Sequence, residues 1–485
     1  MFKKAVLMVF ATMLLVAGAG MASATQVGGM ASGNGTGLPA GLTVHVNPAG
    51  LGDGLIYGYY NARNALTFFR IVNTSTTHAV KARVRFREAK TSAEILDFNV
   101  CLSNKDQWSA WILSPTASGP AVIIPVDGGL LPSASALAQL PDTITQPAIK
   151  NAGEGGTGQA FKCGSGAGCS STAATLKNVT AADTQEGYWE VIGEASTDHD
   201  HMDPLATAGA EDTKINFTND QCLNNTGVHD DTTKLDVPNV LGGDASVFVV
   251  RPTVSGLFSY NATAIADCRL IQDYSVADES PDWSACVDQL RGVDYVLTKQ
   301  DHIAMFNVED WDKAQTEVIV NFPTRSKHDL TVSPWSTKPF TYGQDRCQPI
   351  SLNLYNDLQD TTTTQTDFSP GNTATGASLC NEVNVVKINT SDILDSNVEK
   401  TLDVTAVTPF TGLGWVRIGL NTGDTSGAGA TCTTHSTSVC FPAAGTATHE
   451  SYGLPSIGYV LTDFLGSMGQ MNETKYFTNV ATPAQ

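Results

Sequence analysis

Asp198-His199-Asp200-His201-Met202-Asp203 alternates carboxylates with imidazoles inside six residues. Such a density of oxygen and nitrogen donors is what cation ligation needs. A hard Ca²⁺ ion would draw on Asp198, Asp200 and Asp203. Zn²⁺ would prefer His199 and His201, which project to one side of an extended segment. The segment has neither the glycine nor the distal glutamate of an EF-hand, so a solvated acidic loop ending at Pro204 is the alternative. Calcium suits a charge-rich exported loop better than zinc. No cofactor is required by any motif, and Ca²⁺ is the one candidate.

Glu190 and Glu194, beside Tyr188 and Trp189, have the residue types of a glycosidase acid pair with an aromatic platform for sugar. The pattern of 187–192 is that of a strand, which favours the plainer reading of a strand bearing solvated acids. Lys81, Arg83, Arg85 and Arg87 form a cationic stripe on an otherwise anionic chain. Such a stripe docks the acidic face of a neighbouring copy or an anionic surface polysaccharide, or else it is a solvent face guarded by charge against edge pairing. Gly153-Glu154-Gly155-Gly156-Thr157-Gly158 matches G-x-G-x-x-G without the preceding strand and following helix of a dinucleotide site, and reads as loop. The sequence contains no G-x-S-x-G, no H-E-x-x-H and no Walker motif. No catalytic residue is therefore assigned.

The elements that would carry these groups are β-strands. Val80, Ala82, Val84 and Phe86 alternate with the four cations, the period of two that makes a half-buried strand. Short strands at 55–60, 66–72, 95–102 and 108–113 surround it, separated by Asn-, Ser- and Thr-rich turns as in antiparallel sandwiches. Strands return at 317–322, 350–355, 382–388, 415–420 and 456–461. The expected fold class is mainly β: two immunoglobulin-like antiparallel β-sandwiches, at 43–128 and 313–485, flank an irregular, disulfide-containing middle region, 129–312, with few short helices. One such helix starts at Ser280 as N-cap with Pro281 at its first position.

Charge and cysteine usage place the chain. Lys and Arg total 28 against 48 Asp and Glu, a net charge of −20 that repels phosphate backbones and anionic membranes and argues against nucleic acid as a partner. Residues 1–24 read as a secretory signal: Lys3 and Lys4, an apolar run at 5–17, then Ala22-Ser23-Ala24 for cleavage. That run is short of the roughly 20 residues that span a bilayer, and no apolar stretch of spanning length follows it. A Gly-rich flexible leader, 25–42, comes next. All ten cysteines follow the signal, and an even number in an exported chain implies disulfides. Local spacing pairs Cys163 with Cys169, Cys268 with Cys286, Cys347 with Cys380 and Cys432 with Cys440, leaving Cys101 with Cys222; spacing alone does not prove the pairing.

Several segments together carry a resemblance: Gly54-Leu55-Ile56-Tyr57-Gly58-Tyr59-Tyr60, Val84-Arg85-Phe86-Arg87-Glu88, Asp106-Gln107-Trp108-Ser109-Ala110, Gly187-Tyr188-Trp189-Glu190-Val191-Ile192, and Gly453-Leu454-Pro455-Ser456-Ile457-Gly458-Tyr459. With these the chain resembles an uncharacterised family of exported cell-surface proteins of Gram-negative bacteria. The resemblance spans most of the chain beyond the signal. It implies an extracellular or outer-surface location and brings no activity or catalytic residue with it. The expected function is a secreted, non-enzymatic structural or interaction protein, self-assembling into a layer or filament with cation help. Its partners would be further copies of itself or cell-surface polysaccharide. An extracellular ligand- or polysaccharide-binding protein, exposing Trp108, Trp111, Trp189 or Trp415, is the alternative. An extracellular hydrolase ranks below both.

Overall fold

The computed structural model describes residues 44–116, 118–125, 158–166, 168–169, 171–196, 237–251, 254–268, 293–294, 296–308, 314–327, 347–356, 361–362, 377–405, 412–420, 438–442, 448–466 and 468–476. The first half holds β1 (His45–Val46), β2 (Gly54–Asn61), β3 (Ala65–Asn73), β4 (Val80–Glu88), β5 (Glu94–Leu102), β6 (Gln107–Leu113), β7 (Val122–Pro125), β8 (Gln159–Ala160), β9 (Glu186–Ser196), β10 (Leu241–Val250), β11 (Ser255–Asn261) and β12 (Thr263–Ala266). Then come β13 (Thr298–Lys299), β14 (Asp301–Asn307), β15 (Gln315–Asn321), β16 (Gln348–Pro349), β17 (Ser351–Asn356), β18 (Thr361–Thr362), β19 (Ser378–Leu379) and β20 (Val383–Ile388). The chain closes with β21 (Glu399–Leu402), β22 (Leu413–Gly419), β23 (Ser438–Pro442), β24 (Thr448–Tyr452), β25 (Leu454–Pro455), β26 (Ile457–Phe464) and β27 (Met468–Glu473). The protein is mainly β, as its alternating pattern predicts. Among the described residues the complete helices are single 3₁₀ turns, at Ala174–Leu176, Asp183–Gln185 and Arg325–Lys327.

Two six-stranded sheets, ordered β1-β12-β2-β9-β4-β5 and β11-β10-β3-β6-β7-β8, form the first sandwich. Their inner faces meet through aromatic rings. Trp189 of β9 stacks on Tyr57 of β2 at 4.4 Å and lies 4.8 Å from Phe69 of β3, on the opposite sheet. Phe98 of β5 reaches Trp108 of β6 at 5.4 Å. Such pairs add about 0.5–1.5 kcal/mol each to the gain from burial. The strand β3 shows why the sequence folds this way: Ala65, Thr67, Phe69, Ile71 and Asn73 are buried and the residues between them are not, the signature of one covered face.

The boundary expected near 128 falls inside this sandwich, which runs on to Ala266. Residues 129–312 are not one irregular region. They supply β9, which lies between β2 and β4 in the centre of its sheet, and β10, which pairs with β3. Periodicity does not reveal β9, because all eleven of its residues are buried and nothing alternates.

The second sandwich packs the sheet β14-β22-β17-β18 on the sheet β21-β20-β15-β26-β27. Its core draws Phe306, Leu352, Leu354, Val416 and Ile418 from the first of these and Val318, Val320, Val386, Ile388 and Leu402 from the second. Its start is β14 at Asp301, earlier than the expected 313. Pairing is antiparallel except for β20 with β21, which run parallel.

Cys163 bonds Cys169 and Cys347 bonds Cys380, as spacing predicts. Cys101 and Cys268 are also disulfide-bonded, and their expected partners Cys222 and Cys286 lie outside the described residues. So does Cys432, with the side chain of Cys440, and so do the signal, the leader and the helix at Ser280. No described helix is long and apolar enough to cross a membrane.

Candidate functional site

The cationic stripe and the acid pair prove to be two sides of one ladder. β4 lies between β9 and β5, so Lys81, Arg83, Arg85 and Arg87 meet carboxylates on both neighbours. Lys81 Nζ is 2.8 Å from Glu194 Oε2, and both side chains are almost fully covered. Arg83 pairs with Asp97 and donates to Asn99 Oδ1 at 2.9 Å. Arg85 Nε reaches Glu94 Oε2 at 2.9 Å, and Arg87 Nε donates to Glu190 Oε2 at 3.1 Å. The solvent-facing docking stripe expected from alternation is therefore corrected. Lys81, Arg85 and Arg87 are buried, and the acids of this chain take up the charge that a partner would have met. Glu190 and Glu194 are likewise not solvated. Burial works against the charge on Arg87, while Glu190, Tyr188 and Glu94 together outweigh it and hold the guanidinium firmly protonated.

A second concentration of ionisable groups lies where the two sandwiches touch. A bulge in the pairing of β2 with β9, between Tyr57 and Tyr60, turns Gly58 and Tyr59 toward the second sandwich. Asn321 of β15 donates through Nδ2 to Gly58 O at 2.9 Å. The ring of Tyr459 lies so close that a Cβ on Gly58 would come within 2.6 Å of it, so the seam requires glycine there. Beside this contact sits Glu186, fully buried. Its Oε1 accepts from Tyr59 OH at 2.7 Å and Ser396 OH at 2.6 Å, and its Oε2 accepts from the Asn397 backbone N–H at 2.8 Å.

Ser396 and Asn397 belong to the connection between β20 and β21, at 391–397, which acts as a latch. From its own sandwich Glu317 accepts the N–H groups of Ile393 at 2.7 Å and Leu394 at 3.1 Å. From the first sandwich Asn61 donates to Leu394 O at 2.8 Å, and Arg251 grips the Asp392 carboxylate at 2.5 Å and its carbonyl at 2.7 Å. A backbone bond from Val383 N–H to Ala89 O at 2.8 Å and one from Tyr188 OH to Pro323 O at 3.1 Å continue the seam. Glu382 closes it against Arg325, Glu88 and Arg87. Burial pushes the carboxyls of Glu317 and Glu382 up to about 8, and those of Glu88 and Glu186 upward as well. Arg325, buried against Glu382, is lowered to about 10.

The second sandwich holds one pair of catalytic type. His302 lies 2.9 Å from Ser456 Oγ through Nε2 and 2.7 Å from Thr474 Oγ1 through Nδ1. A nucleophile–base pair needs an orienting acid and access for a substrate. Here a threonine hydroxyl stands in the acid's place, and His302 and Ser456 are buried in the core. Burial, and then the nearby Lys299, lower His302 to about 3, so the ring is neutral. Burial brings Lys299 itself down to about 8, with its ammonium 4.0 Å above the Tyr476 ring.

Asp198, His199, Asp200, His201 and Asp203 lie outside the described residues. Among the described residues no cluster of three or more His, Cys, Asp or Glu is placed to hold a metal ion. Sequence reasoning passed over Glu186, Glu317, Glu382 and the latch. The signal for Glu317 was present as a lone charge in the apolar run Val318-Ile319-Val320, whereas nothing local marks 391–397. Comparison with protein-family models, curated proteins and solved structures finds no match to the chain.

Replacing Glu186 by alanine leaves three buried donors without an acceptor, at a cost of roughly 3 kcal/mol or more. Calorimetry is expected to show one unfolding transition for the native protein and two for Glu186→Ala; a single unshifted transition would contradict the latch. The raised carboxyls set a pH dependence. Folded Glu317 and Glu382 hold protons that the unfolded chain, titrating near 4.5, has released, so their contribution is complete below 4.5 and is lost as pH rises to about 8. His302 has the opposite sign, but its effect is finished by 6.5, and Lys299 reverses the slope only above about 8. Urea midpoints are thus expected to fall between about pH 6.5 and 8, and to flatten in Glu317→Gln/Glu382→Gln.

Proposed function

We propose that this chain is an exported cell-surface protein with a structural or interaction role, assembling through cations into a layer or filament. The observation that carries the reading is the seam. A latch, with its buried hydrogen bonds and the half-buried pair of Arg251 with Asp392, joins two sandwiches into one body, which is what a load-transmitting subunit requires. The ionisable groups that suggested catalysis, Glu190 and Glu194, support the same reading, because each is engaged by a cation of the neighbouring strand. The family resemblance and the strong negative charge are in keeping with an outer-surface location, where Ca²⁺ bound at Asp198, Asp200 and Asp203 would bridge acidic faces.

A second reading, extracellular polysaccharide or ligand binding, is favoured by one feature. Trp108, Trp111 and Trp189 are buried, but Trp415 lies on the outward face of β22, where it stacks on Tyr355 with 3.8 Å between ring centroids. The register sets Met305, an exposed residue of β14, directly across from Trp415. Flat aromatic surface flanked by Asn353 and Arg417 suits a sugar ring.

Light scattering and electron microscopy of the purified protein, with calcium and then with chelator, test the first reading. Sheets or filaments that need calcium, and that vanish in Asp198→Asn/Asp200→Asn/Asp203→Asn, are expected; a compact monomer indifferent to calcium would sink it. For the second, affinity electrophoresis through polysaccharide gels should show retardation that Trp415→Ala removes. Equal mobility of both proteins in every gel would dismiss it.

A further inference from the structure

The Cys347–Cys380 bridge stands apart from the Cys163–Cys169 bridge in one respect. Lys400 of β21 places its ammonium 3.2 Å from Cys380 Sγ and also donates to Ser378 O at 3.2 Å. Lys400 is almost fully buried, and the Ser378 hydroxyl lies 3.9 Å from the same sulfur. Among the described residues no ammonium hydrogen-bonds either sulfur of Cys163–Cys169. Both Cys347 and Cys380 are half-buried.

An ammonium on one sulfur makes the two ends of a disulfide unequal. A cation beside a sulfur stabilises its thiolate and lowers the pKa of the thiol it becomes, and the sulfur of lower pKa leaves faster in exchange. Burial of the cation strengthens the effect, since low surrounding polarity screens the attraction less. We infer that Cys347–Cys380 is a thiol-exchange site: Cys347 is the electrophile, Cys380 the leaving group, and Lys400 the residue that sets this direction. The co-reactant is an external dithiol. Its thiolate attacks Cys347 Sγ, a new sulfur–sulfur bond forms there, and the Cys347–Cys380 bond breaks with its electron pair on Cys380, against the Lys400 ammonium. The second thiol of the reductant then loses its proton, attacks the reductant sulfur of the mixed disulfide and closes a disulfide within the reductant. Cys347 is released as thiolate and takes up a proton. Two electrons pass from dithiol to protein.

The position gives the exchange a structural consequence. Cys347 leads through β16 into β17 of one sheet, and Cys380 follows β19 and leads into β20 of the other. The bridge therefore staples the two sheets of the second sandwich across a sequence separation of 33 residues. A dithiol acting here loosens that sandwich and leaves the first one stapled. This site is independent of the assembly reading, because it involves none of the residues invoked there.

The test uses the full folded chain. Limiting dithiothreitol, quenched with iodoacetamide at timed intervals and read by peptide mass spectrometry, should label Cys347 and Cys380 well before Cys163 and Cys169. With glutathione as a monothiol, the trapped adduct should sit on Cys347. Lys400→Met should slow opening about threefold to tenfold, and Lys400→Arg should retain most of the rate, with labelling at Cys163–Cys169 unchanged in both. Equal labelling of the two bridges, an adduct on Cys380, or an unchanged rate in Lys400→Met would overturn the assignment. The first two outcomes are read on the native protein, so they decide the matter even if Lys400→Met fails to fold.

Discussion

A carboxylate taken out of water must find donors, and Glu186 finds them on both sandwiches at once. Tyr59 comes from the first, Ser396 and Asn397 from the second. Moving the sandwiches apart would take from the acid the two donors that the second sandwich supplies and leave it Tyr59 alone, a penalty larger than either bond contributes when made. The same rule operates from the other side of the latch, where Glu317 accepts two backbone N–H groups and fixes the turn of 391–397 before the first sandwich meets it. Matched polar groups thus run through the seam beside a ring contact, Tyr260 against Tyr459 at 4.8 Å between centroids. Two further contacts, Gly58 with Tyr459 and Phe258 with Gly469, depend on close approaches that only glycine allows.

The ladder in the first sandwich follows the same logic within one sheet. Burying Lys81, Arg85 and Arg87 is costly, and the cost is met only when each faces its own acid on β9 or β5. A slip of one residue between β4 and β9 would turn the cations into the aromatic core and Phe86 out of it. The ion pairs therefore specify the register of a sheet whose central strand comes far later in the chain than its neighbour, as the bond from Arg87 to Glu190, 103 residues on, illustrates.

The two sandwiches divide the labour. The first buries the rings of Tyr57, Phe69, Trp108 and Trp189 between its sheets, pairs the cations of β4 with its own acids and carries one side of the seam. The second exposes Met305 beside Trp415 and Tyr355, and it carries the staple held by Lys400.

Alternation at β4, β3 and β17 was legible because each strand has one face in a core, and a period of two records that directly. The close spacing of Cys163 with Cys169, and of Cys347 with Cys380, was legible because short loops favour local closure. Acidity was likewise written in the composition. The partners were not. The alternation of cations on β4 was read as a solvent face because charge ordinarily goes to water, and only the arrival of β9 and β5 alongside supplied the acids that allow burial. The latch had no local mark at all, since Ser396 and Asn397 are ordinary turn residues until Glu186 lies opposite. Pattern along a chain reports what each strand faces; which distant residue it faces is decided by packing, where a buried charge tolerates only its complement.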